Sequence, residues 1–339
     1  NRAIVFQSLN QEQKAIIKGT GTLTNITASG VIIKNIIYDL TGNTTTDGVI
    51  VIDRGGTWPN YTIQYSNIIL SGIEVLGGRR ALYATVGNIT IENCRFEDQF
   101  RDALFFNAVS GTTMLRNNYF KGANANKAIL FENFSSGDPA ASGTIIIEGN
   151  TVEGKRNFIV YNQWLNPEIP ISFKIEDNLI APYGTAVSVY DPREFLPAFN
   201  PINFSKISTF KLRKNRFALS SGQVGVESPI EIKNKIDARR NWWVDISGPD
   251  VDALVNVINP IPWCYDSDCT KFTAITVSPG DSIKKALDLA EDGDTISIDM
   301  PTITEVFTIE NNVTLKFTEP PVIDSFKVNN ANLTLATDI

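Results

Sequence analysis

The segment Ile89-Thr90-Ile91-Glu92-Asn93-Cys94-Arg95-Phe96 contains the pattern that decides the fold of this chain. The pattern has two apolar residues, Ile89 and Ile91, with one residue between them. Three residues after the second lies what we call the keyed position, here Cys94, and a third apolar residue, Phe96, follows two residues later. The keyed position holds a cysteine here and an asparagine in the later copies, which are Asn118, Asn150, Asn178, Asn215 and, more loosely, Asn241. The copies are 24 to 37 residues apart. A unit that recurs at elastic spacing indicates a solenoid whose turns carry loops of different length.

Each copy of the pattern describes a short strand followed by a sharp corner. Alternation over two apolar positions is the period of a β-strand and is too short for a helix. Asparagine tolerates the left-handed backbone conformation, so we expect the keyed asparagine to adopt it at the corner. Stacked corners would place the side-chain amides in a hydrogen-bonded ladder. The chain is therefore predicted to be all-β, a parallel β-helix with an apolar interior.

The charge balance argues against some classes of partner. The chain has 30 basic and 37 acidic residues, which give a net charge of −7. A nucleic-acid-binding protein would present a basic face, so no nucleic-acid partner is expected. No apolar run approaches the length that spans a bilayer, so no membrane insertion is expected either. The protein is expected to be a monomer.

The histidine and cysteine content restricts the chemistry further. The chain has no histidine, which excludes a histidine base, a Ser-His-Asp triad and a histidine-ligated zinc ion. Cys94 occupies a keyed position and is interpreted as a small buried residue. Cys264 and Cys269 flank a short loop, where a local disulfide is favoured over two free thiols. Such a disulfide would indicate an extracellular protein.

Several segments interrupt the repeat. Residues 11–18 are predicted to form a short helix that covers the open end of the solenoid. Long insertions are predicted at 121–142, 161–170 and 183–204, and the last of them is rich in proline and apolar residues. An apolar insertion that does not fold back forms exposed surface, which usually binds a partner.

Motifs after the repeat resemble known proteins. Asn241-Trp242-Trp243-Val244, then Gly248-Pro249 and Pro262-Trp263, resemble the last coil of extracellular right-handed parallel β-helix proteins. That coil usually has glycine where this chain has Val244. The resemblance implies a right-handed β-helix, and Trp242 and Trp243 are interpreted as residues that close its core. Residues 278–298 resemble the opening of a second such β-helix, which has a short amphipathic helix carrying Ile283, Ala286, Leu287 and Ala290.

As a whole, the chain resembles the C-terminal domain of the tāpirins, the cellulose-binding adhesins of thermophilic plant-degrading bacteria. The similarity rests on the histidine-free β-helix, the long apolar insertions and the two motifs just described. It implies a secreted, cell-surface protein that attaches to crystalline cellulose without hydrolysing it. The expected organisation is a binding β-helix over 1–249, a connecting loop over 250–275 and a strand-rich segment over 276–339 packed on the β-helix.

Binding of an insoluble polysaccharide requires exposed aromatic surface, because sugar rings stack their C–H faces on aromatic rings. Aromatic side chains on every second coil would lie about 10 Å apart, which is about two glucose units of a straight glucan. Each candidate taken singly is more often a residue that pins its own loop. The candidates are Trp58, Tyr61, Tyr161, Trp164, Tyr183, Tyr190, Phe195 and Phe199.

An enzymatic alternative rests on Glu148 and Glu176, which would be neighbours on adjacent coils. Two carboxylates about 5 Å apart suit a retaining glycosidase or a calcium site for a lyase. The same row also carries arginines, so solvated ion pairs, Glu92 with Arg116 and Glu176 with Arg213, are the preferred interpretation. Asp245, Asp250 and Asp252 give only a weak calcium signal, and no cofactor is expected. A second alternative is a purely structural surface-layer or appendage protein.

Overall fold

The computed structural model describes residues 4–10, 13–43, 48–57, 60–122, 127–132, 138–139, 141–162, 170–189, 207–243, 247–250, 253–257, 260–323 and 325–337. Within these ranges the protein is nearly all β, with a single α-helix, α1 (Ile283–Leu289), and a 3₁₀ helix at Ile230–Lys235.

The strands of the first half are β1 (Ile4–Gln7), β2 (Ala15–Lys18), β3 (Thr24–Asn25), β4 (Val31–Lys34), β5 (Ile36–Leu40), β6 (Ile50–Ile52), β7 (Gly55–Thr57), β8 (Asn60–Thr62), β9 (Tyr65–Ser71), β10 (Glu74–Gly77), β11 (Leu82–Glu92), β12 (Arg95–Glu97), β13 (Leu104–Arg116), β14 (Tyr119–Lys121), β15 (Lys127–Glu132), β16 (Gly143–Glu148) and β17 (Thr151–Glu153). The remaining strands are β18 (Asn157–Asn162), β19 (Ile171–Glu176), β20 (Leu179–Ala181), β21 (Val187–Val189), β22 (Ile207–Arg213), β23 (Arg216–Phe217), β24 (Val226–Glu227), β25 (Ile236–Asp237), β26 (Leu254–Val255), β27 (Ile275–Val277), β28 (Thr295–Ile298), β29 (Thr302–Ile303), β30 (Phe307–Ile309), β31 (Val313–Phe317), β32 (Val322–Ile323), β33 (Phe326–Val328) and β34 (Leu333–Thr337).

Two large parallel sheets contain most of these strands. The sixteen-stranded sheet includes the path β1-β4-β9-β11-β13-β15-β18-β21-β24-β26, and the eight-stranded sheet has the order β2-β5-β10-β12-β14-β17-β20-β23. The strands on the two sides of a keyed position, such as β11 and β12 or β16 and β17, lie in different sheets, because the corner between them turns the chain from one sheet to the other. Among the described strands only β7 and β8 pair in an antiparallel manner.

The apolar positions of the repeat stack into one core. Phe96 and Phe120 occupy matching positions of β12 and β14, and their rings stack with centroids 5.2 Å apart. At the other end Trp243 is 3% exposed and stacks on Phe217 at 4.4 Å. Trp243 therefore closes the core, as predicted from the sequence. Trp242 is half-buried and lies outside that core, so the prediction was wrong for this residue.

A ladder of buried amides runs along the corners, as predicted. The side-chain Nδ2 of Asn118, Asn150, Asn178 and Asn215 each donates to the Oδ1 of the next ladder asparagine over 2.8–3.0 Å. The ladder continues to Asn241, and all five side chains are buried. At the other end the Cys94 N–H donates to Asn118 Oδ1, and burial raises the pKa of the Cys94 thiol to about 12. Cys94 is thus the buried end of the ladder.

The left-handed conformation at the corners belongs to a different residue from the one predicted. The residue immediately before each keyed position has the positive φ: examples are Asn117 (54°), Asp177 (56°) and Lys214 (55°). Because this residue adopts the left-handed conformation that the turn requires, the side chain of the keyed residue points inward. Its amide can then form hydrogen bonds along the core. The expectation that the keyed asparagine itself is left-handed was wrong.

Two further expectations about local structure were wrong. Within 11–18, the described residues contain β2 instead of a helix, because Ala15–Lys18 pairs with β5 and extends the eight-stranded sheet. The predicted insertions also contain strands of the large sheet, namely β15, the end of β18, and β21. The last strand of that sheet, β26, lies beyond residue 249.

A smaller unit follows with its own apolar core. The strands β27, β28, β31 and β34 form a four-stranded parallel sheet, and α1 packs on it through Ile283, Ala286 and Leu287. The helix begins where the Ser282 side chain accepts a hydrogen bond from the Lys285 N–H, which is the usual role of serine at a helix N-terminus. The pattern at 278–298 therefore predicted both the helix and the strand after it.

Polar contacts connect the smaller unit to the large sheets. Arg240 donates to both carboxylate oxygens of Asp294 at 2.8 Å, and Arg213 forms ion pairs with Asp237 and Glu291. Cys264 and Cys269 form the disulfide that the sequence interpretation favoured. Ion pairs of Arg213 with Glu291 and of Arg240 with Asp294 thus connect the smaller unit to the large one.

Candidate functional site

Most of the aromatic residues proposed from the sequence cannot be placed. Trp58, Trp164, Tyr190, Phe195 and Phe199 lie outside the described residues. The structure does describe Tyr61, Tyr161 and Tyr183, and each lies in a different environment.

Tyr161 is not an exposed binding residue, so its nomination was wrong. It lies in β18, is 1% exposed and packs edge-on against Phe173 with centroids 5.2 Å apart. Burial raises the pKa of its hydroxyl. Side chains alternate along a strand, and Tyr161 shares the inward face with Ile159. The sequence placed it in an insertion because the strand could not be separated from the loop that follows it.

Tyr183 and Tyr61 are accessible to different degrees. Tyr183 follows β20 and is 47% exposed. Tyr61 lies in β8, is half-buried, and has the Arg54 guanidinium 3.6 Å from its ring centroid. Tyr183 keeps the exposure that sugar stacking requires, whereas Tyr61 forms part of a charged cleft.

The carboxylate pair of the enzymatic alternative is adjacent, as its spacing predicted. Glu148 and Glu176 face each other in the register of β16 and β19. Glu176 lies 2.9 Å from Lys174, while Glu92 lies 2.6 Å from Arg116, which is the predicted pair. The predicted pair of Glu176 with Arg213 is not what the structure contains, because Arg213 turns toward Asp237 and Glu291. These side chains form a row of ion pairs on the sheet surface.

No cluster of three or more potential metal-ligating His, Cys, Asp or Glu side chains occurs within the described ranges. Asp245 and Asp252, two of the three aspartates behind the weak calcium signal, lie outside them. In the same ranges, no helix has both the length and the apolar character needed to cross a membrane.

The outer surface of the eight-stranded sheet carries a row of side chains that sequence reasoning did not identify as a surface; Trp242 was the one member it named, as a core residue. We call it the outer row; its members occupy matching positions on successive strands and are Arg95, Tyr119, Thr151, Leu179, Arg216 and Trp242. The next residue in each strand is buried, as with Phe120 after Tyr119 and Ile180 after Leu179. Because side chains alternate along a strand, the outer row faces away from the core.

The outer row alternates in character. Apolar or aromatic residues (Tyr119, Leu179, Trp242) occupy every second position, and Thr151 and Arg216 lie between them. Neighbouring parallel strands are about 4.8 Å apart, so the apolar members recur about every 10 Å. Leu179 is 37% exposed, and Tyr119 and Trp242 are half-buried.

Charged groups orient Tyr119 within this row. The Arg95 guanidinium lies 4.8 Å from the Tyr119 ring centroid, and the Tyr119 hydroxyl donates to Glu153 over 2.8 Å. Desolvation raises the pKa of Tyr119, with the Glu153 hydrogen bond as the next cause. The signal for the row was in the sequence: its members follow the keyed position directly, where the repeat allows any residue.

Comparison with protein-family models, curated proteins and solved structures finds no match for this chain. The functional argument therefore depends on the geometry of the chain itself.

Proposed function

We propose that this protein is a non-catalytic adhesin that binds an insoluble plant polysaccharide, with crystalline cellulose as the preferred ligand. The proposal includes a right-handed parallel β-helix of the tāpirin type and a secreted, cell-surface location. The disulfide between Cys264 and Cys269 supports the location, because disulfides persist in oxidising compartments.

The observation that carries the proposal is the outer row. A straight glucan presents apolar C–H faces at regular intervals, and Tyr119, Leu179 and Trp242 recur with a spacing of about 10 Å along a parallel sheet. The polar side chains between them offer hydrogen bonds to hydroxyl groups at the edges of the sugar rings. An extended sheet surface suits an insoluble, extended polymer better than a single soluble sugar.

The enzymatic alternative has weaker support. Glu148 and Glu176 are adjacent, yet Glu176 is engaged by Lys174.

Tyr183, which is 47% exposed and follows β20, adds a contact for the polysaccharide in the proposed adhesin.

A depletion assay tests the proposal. The protein is mixed with microcrystalline cellulose and centrifuged, and unbound protein and soluble sugar are both measured. We expect depletion without sugar release. Tyr119→Ala and Trp242→Ala should each weaken binding roughly fivefold to tenfold, because each removes a ring face from the row. Tyr265→Ala is the matched control, since Tyr265 is 50% exposed in the disulfide loop.

Three outcomes would contradict the proposal. Unchanged binding by both outer-row variants would exclude this surface as the binding face. Absence of depletion would favour the purely structural alternative. Released sugar would favour the enzyme, and loss of that release in Glu148→Gln and Glu176→Gln variants would assign the reaction to these carboxylates.

A further inference from the structure

Both arginines of the outer row form ion pairs, and one of the partners comes from outside the repeat. Arg95 forms an ion pair with Glu97, which lies on the same face of β12. Arg216 donates from its guanidinium to the Asp268 carboxylate over 2.7 Å. Asp268 belongs to the disulfide loop, 52 residues further along the chain. The repeat therefore supplies one of these carboxylates and the disulfide loop supplies the other.

Backbone hydrogen bonds place the disulfide loop directly beyond the last member of the outer row. The Trp242 N–H donates to the Asn215 carbonyl oxygen over 2.8 Å. In the same way, the Cys264 N–H donates to the Asn241 carbonyl oxygen over 2.9 Å. Cys264 therefore follows Trp242 in the stack of turns, but its side chain is buried and bonded to Cys269. The disulfide loop thus ends the outer row at this edge.

Contacts within the loop fix the position of Asp268. The Cys269 N–H donates to the Asp266 carbonyl oxygen over 3.1 Å and so closes the turn that contains Asp268. The Asp268 carboxylate contacts Arg216 and, over 3.5 Å, the Ser267 hydroxyl. Replacing Asp268 would therefore change the charge beside Arg216 without removing a ring from the outer row.

The other charged side chains around the row carry both signs. They lie at the outward positions of the strands from β12 to β23, at the corners on both sides of these strands and in the disulfide loop. Counted with the row itself, the described and accessible cations are Arg95, Lys121, Lys214, Arg216 and Lys271. The corresponding anions are Glu97, Asp98, Glu153, Asp177, Asp266 and Asp268. Over the described residues, this surface therefore has no excess of positive charge.

Removing the Asp268 carboxylate would change this balance at one point of the row. Arg216 lies between Leu179 and Trp242, and its side chain is 42% exposed. An exposed ion pair adds little to stability, so its main effect is on the charge that a ligand meets.

Polymers of uronic acids would respond to such a change. A free guanidinium binds carboxylates through paired hydrogen bonds, and each sugar of these polymers carries a carboxylate. Uncharged glucans lack that group and would meet the same ring faces in either case. A surface can thus select between two polymers by withholding an attraction from one of them.

We infer that Asp268 is a specificity-determining residue, which restricts the outer row to uncharged glycans by neutralising Arg216 and so excludes polymers of uronic acids. The inference rests on the proposed function, because it takes the outer row as the binding surface. It adds a selection that ring stacking alone does not provide, since the rings of glucose and of galacturonic acid both present C–H faces.

Retention on polygalacturonate-coated beads tests the inference, with the cellulose depletion assay run on the same preparations. We expect the wild-type protein to bind cellulose and to be retained poorly by polygalacturonate. Asp268→Asn should raise this retention about fivefold at about 20 mM salt, and the gain should vanish at about 300 mM, because salt screens exposed charges. Cellulose binding by this variant should stay within about twofold of the wild type, because the ion pair is exposed and adds little to stability.

Two control variants identify the cause of a gain. Asp288→Asn makes the same change in net charge on the exposed surface of α1 and should leave the retention unchanged. The double variant Arg216→Gln/Asp268→Asn lacks the exposed guanidinium, so its retention should return to the wild-type level.

The inference and the proposed function fail in different arms of the experiment. Strong retention of the wild type, no gain in Asp268→Asn, or an equal gain in either control would overturn the inference while cellulose binding stays normal. Wild-type protein that leaves cellulose unbound would contradict the proposed function, and the inference with it.

Discussion

Each unit of the molecule contains a ladder of hydrogen bonds to side-chain oxygens of neighbouring turns, and the two ladders differ in burial. In the large unit the successive ladder asparagines, from Asn118 to Asn241, form hydrogen bonds from Nδ2 to Oδ1 inside the core. In the smaller unit the Asn312 N–H donates to Asp292 Oδ1, and the Asn332 N–H donates to Asn312 Oδ1, over 2.8 and 2.7 Å on the exposed surface.

This difference shows that burial decides how much a ladder contributes to stability. A buried amide that loses its partner has no water to replace it, so the loss carries the desolvation cost of each orphaned group. An exposed amide exchanges its partner for water at little cost. Hydrogen bonds of similar length between stacked turns therefore have large energetic consequences in one unit and small ones in the other.

The largest effect is expected from the interior of the buried ladder. Asn178→Ala removes the acceptor for the N–H and Nδ2 of Asn150 and the donor to Asn215. We expect the free energy of unfolding to fall by about 3–5 kcal/mol, because several buried groups are orphaned together. Urea unfolding measures this change. A loss no larger than that of an exposed asparagine would refute the comparison.

The next effect concerns the contact between the two units. Asp294→Asn removes the charge that faces Arg240, in a pair that is largely buried. We expect a loss of about 2–3 kcal/mol, smaller than for an isolated pair because Glu291 also lies 3.4 Å from Arg240. Hydrogen exchange should accelerate in α1 and β28 and stay unchanged in β16. Asp288→Asn, on an exposed side chain, serves as the control.

A buried charge in the large unit should be dispensable. Lys155 is fully buried, its Nζ has no hydrogen-bond partner within the described part of the chain, and burial lowers its pKa to about 8. The unfolded chain binds this proton up to its ordinary pKa, 10.5, so the folded state carries a penalty that is complete below pH 8 and fades as the pH rises to 10.5.

Lys155→Met should therefore raise the free energy of unfolding by about 2 kcal/mol at pH 7 and by less at pH 10. Denaturant unfolding at both pH values measures the difference, with Lys121→Met as an exposed control. A gain that does not shrink at the higher pH would mean that the lost charge is not its cause.

The smallest effect is expected from the exposed ladder. Asn312→Ala should lower the free energy of unfolding by less than about 1 kcal/mol, because water replaces the lost partner of the Asn332 N–H. Comparing this variant with Asn178→Ala in one urea series tests the role of burial directly. Equal losses in the two variants would mean that corner geometry, and not burial, sets the stability of each ladder.

Much of the fold could be predicted because, within the repeat, the type of residue at each inward position depends on its burial. The alternating apolar residues and the keyed asparagine identified the strands, the ladder and the closing role of Trp243. The candidate site was harder to predict. Tyr161 is a buried residue near the end of a strand, directly before an insertion, so the sequence did not separate it from the loop. Tyr119 occupies a position where the repeat allows any residue. A sequence pattern constrains inward positions far more than outward ones.

By itself, the sequence determined the parallel strands, the buried amides and the absence of histidine chemistry, because each depends on residue type at a regular spacing. The tertiary structure alone decided which outward side chains are neighbours. Stacking placed Tyr119, Leu179 and Trp242 in one row, although the chain between these residues varies in length. Strand register sets these neighbours, and it arises only when the turns stack.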